Sequence, residues 1–174
     1  MPNLDQDKRF LEAGISVLPD YLLSKELFYP LGGDLPRLTV GNLLLAQLRR
    51  RSAGDIEAAE APIESVRGKW RYAWNQKASR EIHSRLGLWR NFLNDYRAFP
   101  GGNADRFTAE VRNRVILGLL FKETDQTSER SQLVRMDSRL REGLLPGNFV
   151  WENQVEAGFP KPEYWYLYGH LKSR

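Results

Sequence analysis

Cysteine is absent from this 174-residue chain, which removes disulfides, thiolate metal sites and thiol catalysis together. Histidine is nearly absent too. His83 and His170 are the only two, so histidine-based metal or acid–base chemistry has little material. A helical di-metal centre needs a Glu-x-x-His pairing that puts both ligands on one face, whereas Glu81 and His83 are two residues apart and diverge. There is no H-E-x-x-H, P-loop or G-x-G-x-x-G motif. Long apolar runs are also missing. The longest, Val115 to Phe121 (VILGLLF), is about a third of the roughly 20 residues that a membrane helix requires. The opening MPNLDQDKRF carries charges of both signs and no apolar signal core, so the expected location is cytoplasmic, away from any membrane.

Lysine is scarce as well, with 7 Lys against 19 Arg. The net charge of +4 and pI near 9.4 make the chain mildly basic. Arginine suits carboxylate and phosphate forks and stacks on aromatic rings. The same excess is also a plain consequence of an Arg-favouring codon usage.

Helical periodicity is what the sequence has in abundance. Gly and Pro clusters at 30–36, 52–62, 100–103, 143–148 and 158–162 divide the chain, and the apolar spacing between them is helical. The pattern predicts one helix over about 3–17 and a second that starts at Pro19 and stops before Pro30. A third is capped by Thr39 and closes on Arg49, Arg50 and Arg51, where basic side chains suit the helix dipole. From Ile63 to Phe99, apolar or small residues recur at Val66, Trp70, Trp74, Ala78, Ile82, Leu86, Trp89, Leu93 and Tyr96. Ten steps cover 36 residues, the 3.6 period of a straight α-helix. Pro62 and Pro100-Gly-Gly flank it. A fifth helix over about 104–123, capped by Asn103 or Asp105, is apolar all round in its second half and so enclosed by others. A sixth carries Leu133, Met136, Leu140 and Leu144. The expected fold is all-α: a bundle of six or seven helices, one domain over 1–174, built on a central helix spanning about 63–98. An internal linker is expected at 52–62.

The segment 144–174 differs in character, with Phe149, Trp151, Phe159, Tyr164, Trp165, Tyr166 and Tyr168 between Pro and Gly breaks. It is expected to wrap the bundle and end in a helical turn or two, although Tyr164 to Tyr168 also suits extended chain. Its aromatics either plug grooves between helices or anchor a partner. Trp151, Trp165 and Tyr168 are the candidate anchors.

One polar constellation stands out on the long helix. With Trp70 at zero on a helical wheel, Arg67, Arg71, Glu64 and Asn75 fall at about 60°, 100°, 120° and 140°, inside the apolar stripe. Glu64, Arg67, Trp70, Arg71, Trp74 and Asn75 form the candidate binding lane. Two Arg beside two Trp can hold an anion, a carboxylate-bearing partner or stacked bases. The alternative is structural, with arginine stems laid over the Trp rings and Glu64 paired to Arg67. Glu81 and Arg85, four residues apart, read as a simple helix ion pair.

The leading expectation is a non-enzymatic binding or adaptor protein, engaging a protein partner or a second copy through the Arg/Trp lane or the aromatic segment. A second is polyanion (nucleic-acid) binding through the basic stretch 49–97, which carries eleven basic and six acidic side chains. A third is a small-molecule-binding bundle, or an enzyme, with a pocket under the C-terminal segment. No catalytic residue, metal ligand or cofactor is nominated.

Overall fold

In the computed structural model, which describes residues 3–174, Asn3 caps α1 (Leu4–Leu23) by accepting from the Gln6 amide at 2.8 Å. Pro19 does not start a second helix; it lies inside α1. A helix-interior proline costs about 3 kcal/mol, and here Leu18, Tyr21 and Leu22 on either side of it are buried in the core, which offsets that cost. Of the predicted second helix, residues 19–23 belong to α1 and 24–29 are not helical; beyond them the chain turns through Gly32 and Gly33, both at positive φ, and an isolated bridge joins Tyr29 to Leu38.

The Thr39 side chain caps α2 (Val40–Ser52), accepting from the Asn42 amide at 2.9 Å, and the three arginines sit in the last turn as expected. Residues 53–59 form turns.

The predicted rod is broken near its start. α3 (Glu60–Lys69) and α4 (Arg71–Ala98) meet at Trp70, whose φ −116°, ψ 38° is not helical. Gly68, a poor helix former, sits beside the break. The elbow lets α3 pack against α1 as well as α4 and buries Ile63. The remaining 28 residues of α4, about 42 Å long at 1.5 Å per residue, are still the spine.

Pro100 does not simply end α4. It opens a single turn, α5 (Pro100–Asn103), that passes through a 3₁₀ turn, Ala104–Arg106, into α6 (Phe107–Leu120). Asn103 does not cap α6; its amide donates to the carbonyls of Asp95 and Phe99 at the end of α4, both at 3.0 Å. Asp105 makes no cap either, since α6 has none from a side chain. α6 buries Val111, Val115, Ile116, Leu117 and Leu120 between α2 and α4. Leu133, Met136 and Leu140 line the inner side of α7 (Thr127–Gly143). Among the described residues there are therefore seven α-helices.

The C-terminal segment is extended where helical turns were expected. β1 (Leu144–Phe149) pairs antiparallel with β2 (Tyr168–Leu171), Leu144 opposite Leu171 and Phe149 opposite Tyr168, with a bulge after Pro146. A single 3₁₀ turn, Trp165–Leu167, precedes β2, and another, Asn153–Gly158, lies on α2. Phe149, Trp151, Phe159, Tyr164 and Tyr166 are buried in a chain of mostly edge-on rings, a favoured aromatic geometry. Together with the helix interiors they form one hydrophobic cluster.

Two glycines separate backbone approach from helix propensity. A Cβ at Gly169 would strike the Leu145 backbone carbonyl across the β1–β2 pair, whereas one at Gly87, mid-α4, meets nothing. Gly169→Ala should lose about 1–3 kcal/mol by overpacking. Gly87→Ala should gain about 0.5–1 kcal/mol. Urea unfolding midpoints of the two variants check both signs.

Candidate functional site

The polar lane straddles the α3–α4 elbow, and the structure closes part of it. Arg67 Nη1 donates to both carboxylate oxygens of Glu123, at 3.0 and 3.1 Å, and Arg67 Nη2 donates to Glu64. The Trp74 indole donates to Glu123 at 2.9 Å, and the Arg67 guanidinium lies 5.7 Å from the centre of the Trp74 ring. Trp74 itself is fully buried. Glu123, in the α6–α7 connection, was invisible on the helical wheel because it comes from elsewhere in the chain. The half-buried Arg67 and Asn75 each keep one buried polar atom, Nε and Oδ1, without a partner. A groove of about 380 Å³ beside this cluster mixes Arg51, Arg67 and Lys122 with Glu60, Glu64 and Glu123.

The outer half of the lane remains at the surface. Trp70 is half-buried, with the Lys69 ammonium 5.5 Å from its ring centre, and Arg71 is exposed. Tyr72, which was not part of the lane, is 78% exposed, more than any other large hydrophobic side chain described. It falls outside the stripe on the wheel and lies in the first turn of α4, just past the elbow.

The aromatic anchors divide in the same way. Trp151 is core, donating to the Thr108 carbonyl at 3.1 Å with the Arg49 guanidinium 5.7 Å from its ring. Trp165 is half-buried under Arg141, 3.6 Å from its ring centre, and Tyr168 is half-buried, donating to the Phe159 carbonyl at 2.7 Å.

The feature that the sequence did not reveal is a buried charge network. Glu81 and Arg85 do form the expected i,i+4 ion pair, but both are buried and belong to a wider network. Glu81 accepts from the Gly41 amide at 2.8 Å in the first turn of α2, where backbone N–H groups lack helical partners. Arg85 donates twice to Glu81, at 3.1 Å each, and also to Asn113 at 2.9 Å and Asn42 at 3.2 Å. Arg112 donates to the same Asn42 oxygen at 2.9 Å. Burial, helped by the nearby Arg85 charge, pulls the Arg112 pKa down to about 10.

Arg49, fully buried, donates to Asp7 on α1 at 2.8 Å and forks onto Glu152 at 3.0 Å. Burial works against the Arg49 cation, but these two hydrogen bonds outweigh it and raise its pKa. Burial pushes the Asp7 carboxyl up, beyond what Arg49 does to lower it. The hydrogen bond from Arg49 holds the Glu152 carboxyl below its ordinary value.

Among the described residues, no group of three or more His, Asp or Glu side chains is arranged to hold a metal ion, and no helix is long and apolar enough to cross a membrane. His83 and His170 are both exposed. Compared with known proteins, the chain matches no family model, no curated protein sequence and no solved structure.

The network makes two testable statements. Glu81→Ala leaves Arg85 as a buried charge without its carboxylate and should cost about 3–5 kcal/mol, read from chemical denaturation. Glu152 has a folded pKa below its ordinary 4.5. Its contribution is therefore complete above pH 4.5 and is lost as pH falls through the lower folded value. Asp7, raised chiefly by its own burial and only last by the Glu152 charge, works in the opposite direction in wild type and variant alike. The stability gap between wild type and Glu152→Gln should therefore narrow on acidification below pH 4.5, in a series of urea midpoints.

Proposed function

We propose that this protein is a non-enzymatic helical binding protein that engages an acidic surface on a protein partner through its α3–α4 elbow. The observation that carries the reading is the surface run Lys69-Trp70-Arg71-Tyr72, which presents two aromatic rings and two cations at one bend. Trp, Tyr and Arg are the side chains that dominate binding energy at protein interfaces. Neither Lys69 nor Arg71 has a carboxylate within ion-pair distance among the described residues, in contrast to neighbouring Arg67. An acidic partner supplies that missing charge. The elbow is also fixed from behind, because the Arg67–Glu123–Trp74 cluster holds α3 and α4 to the α6–α7 connection. A preformed surface loses less entropy on binding than a mobile one.

The test places a photo-crosslinking amino acid at Tyr72 and, as a control, at exposed Leu23 on α1, in cells. A discrete adduct at position 72, absent at 23, abolished by Arg71→Glu and mapping to an acidic peptide of the partner, is the expected result. Equal labelling at both positions, no adduct, or an adduct insensitive to Arg71→Glu removes the proposal.

A further inference from the structure

A second surface, independent of the elbow, lies along the line where α4 packs on α7. Two hollows, of about 410 and 190 Å³, adjoin at Arg139, which lines both. Arg90 and Arg97 stand on the α4 side, Arg135 and Arg139 on the α7 side, and Lys172 and Arg174 at one end. Glu142 is the single acidic side chain in the lining.

What distinguishes these arginines is that several without a carboxylate partner line the same depression. Elsewhere Arg9, Arg49, Arg50, Arg51, Arg67, Arg85, Arg106 and Arg114 each meet an Asp or Glu. Among the described residues none of the six trough cations does. Arg90 donates to the neutral Gln132 at 2.7 Å, and Lys172 to the Glu142 backbone carbonyl at 3.1 Å. Arg135 and Arg139, one helical turn apart, repel each other. Arg90 and Arg97 are two turns apart, about 10 Å at 1.5 Å per residue. The result is an elongated positive trough with cations on both walls, which concentrates anions.

We infer that this trough binds the phosphodiester backbone of a single-stranded nucleic acid. Five of its six cations are arginines, whose planar forks match phosphate oxygens. Cations on both sides of a depression suit one strand lying between them, its phosphates reached from either side. No exposed aromatic platform lines the trough, since Tyr96 is half-buried and donates to the Lys172 carbonyl at 2.8 Å. Recognition therefore runs through phosphates and is indifferent to base identity. The site shares only Arg90 and Arg97 with the basic stretch 49–97. Much of that stretch is spent internally: Arg49, Lys77 and Arg85 are buried, and Arg50, Arg51 and Arg67 are ion-paired.

The experiment is fluorescence anisotropy of the full chain with a labelled oligothymidylate of about 15 nucleotides, near the upper site size of compact single-strand binders, titrated at several salt concentrations. Saturable binding is expected, with log affinity falling linearly in log salt at about 0.7 per phosphate contact. Arg135→Gln/Arg139→Gln, two exposed positions whose circular dichroism should stay native, should weaken binding and lower the slope by about 1.4. Arg9→Gln, remote and paired to Asp34, should leave both unchanged. Absent or salt-insensitive binding overturns the inference. So does tighter binding of a duplex of the same length, equal affinity for polyglutamate, which would mark an acidic protein surface instead, or a slope unmoved by the double substitution. The elbow variant Arg71→Glu has to keep its oligonucleotide affinity within about twofold, which separates failure here from failure of the elbow proposal.

Discussion

The Glu81 carboxylate is the point at which three helices are tied. It takes the Gly41 N–H at the start of α2 and the Nε–Nη2 edge of Arg85 one turn along α4, and Arg85 in turn reaches Asn42 on α2 and Asn113 on α6. Burying two ions costs several kcal/mol each unless the surrounding geometry satisfies them. Apolar packing tolerates small slips of one helix along another, but directed hydrogen bonds to a buried carboxylate do not. A Cβ at Gly41 would collide with both Glu81 and Ile116, so the close approach of α2 to α4 and α6 depends on that residue being glycine. Arg49 repeats the device one layer away, joining α1 through Asp7 to the C-terminal segment through Glu152.

This use of charge inside the molecule shapes its outside. Carboxylates drawn into pairs with Arg49, Arg67, Arg85 and Arg114 are not free to neutralise the surface. Cations without a carboxylate partner among the described residues include Lys69 and Arg71 at the elbow and the six along the α4–α7 line. A chain of only mildly basic composition thus carries locally intense positive fields, and its arginine excess serves both the interior and the surface.

How much of this was legible depends on the range of the interaction. Thr39 as a cap, the enclosed α6 and the Leu133–Met136–Leu140 face of α7 follow from contacts within a turn or two, and those appear in spacing. The break at Trp70 does not, because apolar residues keep the same period on both sides of it while the backbone bends. Pro19 misled for a similar reason: local preference places proline in a first turn, but buried neighbours on either side carried α1 through it. Asn103 had the right chemistry for a cap and used it on the preceding helix. Of the candidate lane, Arg67, Trp74 and Glu64 do meet, yet through Glu123, a residue no wheel of this helix contains. Trp151, offered as an anchor, is core, because the aromatic segment folds back onto α2 and α6.

The sequence by itself determined an all-helical bundle on a long amphipathic spine without cysteine chemistry, since periodicity, capping and composition are local properties of the chain. Only the tertiary structure decided which charges are buried, which arginines are paired, where the spine bends and that the last residues form a strand pair. Each of those depends on partners tens of residues away, and a one-dimensional pattern carries no record of which distant side chain arrives to meet a charge.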